Sequence, residues 1–480
     1  MRIAIAFMSA SLVGTAAPLA AQARPAATEP PRLGAQRPLV LPSMVERTLP
    51  NGLRLVVVEQ HELPIVDATL VIKSGSESDP EGKKGLATLT ANLLDEGAGS
   101  RDALALADEM GFLAVQIGTS ATFDRSSVSL HSSRATLDSA MKLMADIVLR
   151  PSFSEKDFAR IRSERLTALL QESDRGPVLA DRAFAAIVYG EKHPYGHSTS
   201  GTTDAVESIT RDDVMNFWKT RYRPNNATLV IVGDVTPAEA EQRARAFFGA
   251  WERAPVPAVV AGSPTAPSKS TIYIVDKPKA AQTSFRIGSV GVARSTKDYY
   301  PLMVMNTALG GSFTSRLNQN LRETKGYTYG AGSSFAMRRT AGPFLASAEV
   351  VAAKTDSALI EFMKEIRNIG QPVPASELAK TKRYLQLGYA ARFESTGDIA
   401  GQVASLVPYD LPLSTLGMFN SGIGAVTTTE VQRVAKQYVD PSKLAIVVAG
   451  DRASIEAALK ATGIAPVEIR DALGRRIIVP

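Results

Sequence analysis

Residues 210–234, TRDDVMNFWKTRYRPNNATLVIVGD, align without gaps on residues 427–451, TTTEVQRVAKQYVDPSKLAIVVAGD. The offset is constant, since 427 − 210 and 451 − 234 both give 217. Thr210 matches Thr427, Asp213 matches Glu430, Pro224 matches Pro441, and Gly233-Asp234 matches Gly450-Asp451. Each copy reads as a helix opened by a capping box, a proline turn and a buried strand ending in Gly-Asp. A repeated unit must fold twice, which restricts the chain to two homologous αβ domains of ~215 residues, an ordinary domain size. Their join is the proline-rich stretch 252–268, so the domains run over 43–251 and 269–480.

Hydropathy patterning fills in each copy. Alternating or continuous apolar runs predict strands at 53–59, 65–72, 115–122, 126–131 and 229–232. Helical spacing predicts helices at 82–97, 103–110, 137–149, 155–171, 178–188 and 237–247. The second half follows the same style from 271 onward. The expected class is α+β, a tandem duplication in which each domain packs helices on a mainly antiparallel sheet.

The hydrophobic share of 45% and charged share of 21% suit a soluble globular protein. A net charge of +6 is small for 480 residues, and no basic run interleaves with aromatics, which argues against nucleic acid as a partner. Residues 1–23 read as a signal peptide, with Arg2, an apolar stretch over 3–19 and Ala21-Gln22-Ala23 at the cleavage site. No later run reaches the ~18 apolar residues that a membrane span needs. The chain has no Cys, and therefore neither a lipid-anchoring cysteine nor disulfides. Export to the periplasm is expected, with 24–42 as a disordered lead-in.

One stretch stands apart from the repeat: 309–335, LGGSFTSRLNQNLRETKGYTYGAGSSF. Leu317, Leu321, Arg322 and Thr324 have helical spacing after Gly310-Gly311, and Gly326 sits where a helix ends on a left-handed residue. A strand follows from Tyr327. Arg322 and Tyr329 then meet at one corner, a cation beside a phenol.

With LPNGLRLVVVEQ at 49–60, HPYGHSTSGT at 193–202, the repeated Pro and Gly-Asp segments and the 309–335 stretch, the chain resembles the insulinase/pitrilysin family of zinc peptidases in its short two-domain form. The resemblance implies half of a clamshell. The family's chemistry needs H-x-x-E-H on a helix, two imidazoles holding zinc and a glutamate acting as base. That motif falls at 85–94, where Thr88, Ala91 and Asn92 occupy the His, Glu and His positions, and the third ligand falls near Ala168. Such a set cannot bind zinc, and Ala91 cannot take a proton from water. Glu164, one turn away, reads as a solvated helix residue. His193 and His197 are four apart, but Pro194 and Gly196 between them argue for a structural loop rather than a metal pair. Glu172 and Asp174 read as a helix end.

The resemblance carries the family's substrate-binding Arg and Tyr onto Arg322 and Tyr329 (329 − 322 = 7). It implies a subunit without zinc and without a cofactor of its own, serving a homologous partner that carries H-x-x-E-H and the zinc. Substrates would be unfolded peptides, added as a strand to an exposed edge at 115–122. The alternative is a non-catalytic scaffold or peptide-binding protein of the same fold.

Overall fold

The computed structural model describes residues 39–477, so the signal expected at 1–23 and the lead-in up to residue 38 lie outside the described residues. The first half supplies β1 (Met44–Thr48), β2 (Arg54–Glu59), β3 (Ile65–Ile72), a two-residue hairpin of β4 (Gly97–Ala98) and β5 (Arg101–Asp102), β6 (Gln116–Ala121), β7 (Ser126–Ser133) and β8 (Ala227–Gly233). The second half supplies β9 (Thr271–Asp276), β10 (Gln282–Val290), β11 (Thr328–Phe335), β12 (Pro343–Val351), β13 (Ala445–Gly450) and β14 (Val467–Arg470). Two six-stranded sheets result, ordered β1-β2-β8-β3-β7-β6 and β11-β12-β10-β13-β9-β14. Most pairings are antiparallel; β2/β8, β9/β13 and β9/β14 are parallel.

The duplication holds to the residue. Arg54 pairs with Thr228 across β2/β8, and Thr271 with Ala445 across β13/β9, each 217 further on. Asp67 opposite Val232 becomes Ser284 opposite Ala449, again shifted by 217. β8 and β13 are buried along their whole length between two neighbours, which is why ATLVIVG and AIVVAG read as continuous apolar runs. The helices preceding them, Arg211–Arg221 and Thr428–Tyr438, both close the expected capping box, the Asp213 and Glu430 carboxylates each accepting the backbone N–H of the capping Thr at 2.8 Å.

Each sheet is completed by a helix from the other half. Gly176–Tyr189 lies on the second sheet, packing Leu179, Ala183 and Phe184 with Tyr273, Val275, Ala445 and Val447. Its counterpart Thr396–Leu406 lies on the first sheet, packing Ile399, Ala400 and Val403 with Val56, Val58, Val230 and Val232. A buried polar pin ties the same two halves. Asp124 accepts from the Tyr195 hydroxyl at 2.8 Å, the Tyr409 hydroxyl at 3.2 Å and the Arg339 backbone N–H at 3.2 Å.

One expected helix is shorter than its pattern. The 82–97 run is helical only over Leu86–Leu93. Asp79 takes the Gly85 and Ala87 backbone N–H groups at 2.8 Å each, and so fixes the helix start. Gly85 itself has φ of +98°, and a Cβ there would lie 2.9 Å from the Ser200 carbonyl oxygen. The stretch 252–267 contains neither helix nor strand; it follows the first half, with the Ala254 carbonyl accepting from the Asn225 side chain at 3.0 Å.

Because each half covers the other's sheet, the two should unfold together. Phe184→Ala is expected to cost about 3–5 kcal/mol and to shift a single urea transition of the whole chain. Two separated transitions, or loss of the second half's signal alone, would contradict this coupling.

Candidate functional site

The 309–335 stretch folds as a helix, a turn and an edge strand, with a winding that hydropathy spacing did not show. A short α-turn, Arg316–Asn318, passes into a π-helix over Gln319–Thr324. The Lys325 N–H reaches back five residues to the Asn320 carbonyl at 3.0 Å. One extra residue per turn re-aims the side chains that follow, and such windings concentrate at functional sites. The buried face is held by Leu317 and Leu321, and by Asn320, whose amide donates to Glu361 at 2.8 Å and Glu365 at 2.7 Å. The helix ends as expected. Gly326 has φ of +64°, with Gly326 N–H on the Arg322 carbonyl at 3.0 Å and Tyr327 N–H on the Leu321 carbonyl at 2.9 Å.

Past the glycine, β11 pairs with β12 but its register breaks between Thr328 and Ala331. Tyr329 and Gly330 occupy the bulge, and bulges of this kind turn a side chain away from the ladder. Tyr329 is 90% exposed. Arg322 lies across the Phe313 ring, 4.6 Å from its centroid, with Glu323 3.4 Å away. Arg322, Tyr329, Phe313, Asn318, Ser347 and Tyr384 line one open depression of about 670 Å³. The structure therefore brings Arg322 and Tyr329 into one groove, with the cation stacked on Phe313 rather than bonded to the phenol. Phe313 and Tyr384, both more than half exposed, were missed at the sequence level. Phe313 sits within the singled-out stretch, whereas Tyr384 comes from a distant helix, Ala375–Ala390, and carries no local signal.

Behind the groove, β11 is sealed. Asn318 accepts the Ala331 N–H at 3.2 Å, the Gly310 carbonyl accepts the Ser333 N–H at 3.0 Å, and Asn306 donates to the Ser333 carbonyl at 3.0 Å. The equivalent edge of the first sheet is β6, matching the edge read at 115–122. Among the described residues its backbone bonds only to β7.

Thr88, Ala91 and Asn92 lie on the Leu86–Leu93 helix, and Ala168 on the neighbouring Glu155–Glu172 helix. The residues do not fit zinc. Ala91 and Ala168 offer no donor atom, and the Thr88 hydroxyl is spent on the Thr199 carbonyl at 2.7 Å. Glu164 is paired with Arg160 at 3.0 Å on the surface. Among the described residues no cluster of His, Asp and Glu is placed to hold a metal ion. His193 and His197 sit buried in a non-helical loop, where the His193 Nδ1 accepts the Tyr195 N–H at 2.9 Å and the His197 Nδ1 donates to the Ser198 carbonyl at 2.9 Å. Glu172 ends its helix and pairs with Arg182 at 2.9 Å, while Asp174 pairs with Lys277 at 2.9 Å.

Two adjoining family models match the chain: "Insulinase (Peptidase family M16)" over residues 54–199 and "Peptidase M16 inactive domain" over residues 208–385. The chain belongs to the insulinase-like M16 peptidase family. An uncharacterized zinc protease of Mycobacterium leprae is 29% identical over 60% of this chain and 64% of its own, so the match spans just under two thirds of that relative. A probable mitochondrial-processing peptidase subunit beta of Arabidopsis thaliana is 23% identical over 84% of this chain and 77% of its own. Among solved structures, a peptidase M16 inactive domain from Pseudomonas fluorescens superposes with a TM-score of 0.80 at 29% identity, covering 85% of this chain and 98% of that one.

Two measurements test the site. Thr88→His, Ala91→Glu, Asn92→His and Ala168→Glu together are expected to create zinc binding that metal analysis detects, since the two imidazoles share a helix face. No gain of zinc would mean that these positions do not correspond to the motif. Burial, aided by Lys84 and Arg338, holds the His197 imidazole down to about 4 from its ordinary 6.5. The unfolded chain binds that proton first, so stability is full above pH 6.5 and falls as pH drops toward 4. The loss is up to about 3 kcal/mol, and His197→Gln should flatten it in denaturation curves taken across that range.

Proposed function

We propose that this chain is the non-zinc subunit of an exported, periplasmic heterodimeric M16 peptidase, and that Arg322 and Tyr329 act in trans on a peptide held at a homologous partner's H-x-x-E-H site. The observation that carries the reading is the contrast between two places in one chain. At the motif positions Ala91 and Ala168 carry no donor atom and neither histidine is present, while the Arg322–Tyr329 groove is open, braced from behind and unfilled by the chain's own side chains. The relatives described as zinc proteases and the solved M16 inactive domain support the same division of labour.

In this reading the two chains close as a clamshell, the second half of this one facing the first half of its partner. Unfolded peptides are captured by adding a strand to a sheet edge, for which this chain's candidate is β6 in its first half. As the peptide carbonyl is attacked, the Tyr329 hydroxyl donates to the developing oxyanion. The Arg322 guanidinium, its face resting on Phe313, directs its N–H groups to the substrate backbone. A donor of this kind lowers the barrier by about 2.7–4 kcal/mol. This chain needs no cofactor; the zinc belongs to the partner.

The test is turnover of an unstructured peptide by the assembled pair. Tyr329→Phe removes one hydroxyl at nearly constant volume and should lower kcat by about 10²-fold with partner affinity unchanged. Arg322→Ala should worsen both kcat and KM. Turnover by Tyr329→Phe within about twofold of wild type at saturating partner would favour a peptide-binding scaffold instead, and one tightly held zinc in the isolated chain would exclude the proposed division of labour.

A further inference from the structure

A second cavity, of about 340 Å³, is lined wholly by residues of the second half and shares no lining residue with the groove. It is walled by the start of the helix Tyr299–Leu309, the end of β11, and the helices Ala375–Ala390 and Thr396–Leu406. Its lining is aromatic. Tyr389 and Phe419 stack at 4.0 Å, and Tyr300 meets Phe419 edge-on at 6.3 Å. Into this wall come two cations. The Arg294 guanidinium lies 3.8 Å from the Tyr299 ring centroid, and that of Arg392 lies 5.8 Å from Tyr389 and 6.0 Å from Phe419.

Among the described residues no carboxylate lines the cavity. Among the described residues neither arginine has an acidic partner. Asp298, the acid nearest Arg294 in sequence, is taken by Arg433 at 2.6 Å, and Asp398 accepts the Ser395 hydroxyl at 2.6 Å; Glu394, two residues from Arg392, makes no ion pair with it among the described residues. The Tyr389 and Tyr409 hydroxyls are also spent, on the Leu416 carbonyl and on Asp124. An arginine stacked on a ring satisfies the face of its guanidinium and leaves the N–H edge free, the geometry that grips a planar anion in bidentate fashion. Two such edges at an aromatic slot ask for a ligand that is flat and apolar at one end and anionic at the other. The volume takes one residue-sized body and no more, at the lower end of the range of small-molecule sites.

We propose that this cavity binds a carboxylate carried on a single aromatic-sized apolar group, with Arg294 and Arg392 holding the carboxylate and the Tyr300–Phe419 wall holding the body. A free aromatic carboxylate and the C-terminal residue of a peptide share this chemistry.

Calorimetric titration of the intact chain with N-acetyl-phenylalanine, its amide, and a pentapeptide of four glycines and a terminal phenylalanine tests the site. The carboxylate should bind with a Kd of about 1 mM or tighter, and the amide about tenfold more weakly or worse. Arg392 is solvent-exposed, so Arg392→Gln should keep the wild-type Tm and still weaken the carboxylate about tenfold; Arg294→Gln should do the same. Binding of the pentapeptide as well assigns the site to chain termini, and its exclusion assigns it to free small molecules. Arg322→Ala should leave the titration unchanged. No saturable binding, equal binding of acid and amide, unaltered Kd in both glutamine variants, or loss on Arg322→Ala would each overturn the proposal.

Discussion

The structure depends on an exchange of helices. Val56, Val58, Val230 and Val232 form a fully buried stripe on one face of the first sheet, and what buries them is Ile399, Ala400 and Val403 from the other end of the chain. The same bargain is struck in reverse by Phe184 and its neighbours on β9 and β13. Burying one such side chain is worth about 1.5–3 kcal/mol, so neither sheet face could remain open to water. The polar pin at Asp124 sits beside this exchange, and it fixes the angle at which the halves meet with hydrogen bonds that apolar packing could not orient.

That frame accounts for where the candidate sites lie. Strand β11 and its π-helix sit at the far edge of the second sheet, so Arg322 and Tyr329 project from elements anchored through Leu317, Leu321 and Asn318 rather than from a loose loop. At the corresponding edge of the first sheet, β6 bonds along its backbone only to β7 among the described residues. The two copies of one fold thus differ at these edges, where a change costs little core packing.

Much of this was legible in the sequence because duplication leaves a signal that chance does not. The 217-residue offset identified the repeat, and the same offset relates the strand registers at Arg54 and Thr271. Helix ends with capping chemistry were also readable, as Thr210 with Asp213 and Gly326 with its left-handed φ attest. The π-winding was not, because an inserted residue in one turn leaves Leu317, Leu321 and Arg322 at spacings that an α-helix also allows. Nor was the stacking of Arg322 on Phe313, or the approach of Tyr384, since both depend on tertiary placement. The second cavity escaped for the same reason: Arg294 and Arg392 lie almost a hundred residues apart and carry no motif.

The exchanged helices also say something about descent. A single half standing alone would bare one valine-lined sheet face and present one homeless apolar helix. Two identical halves related by a twofold axis solve both problems at once, each lending its helix to the other. The fused chain therefore has the arrangement of a helix-swapped homodimer, with the proline-rich 252–268 stretch joining its two copies. Fusion freed the copies from identity. In one chain the first copy can carry Ala91 on its Leu86–Leu93 helix while the second carries the 309–335 corner, a division open to two fused copies and closed to a symmetric pair of identical chains.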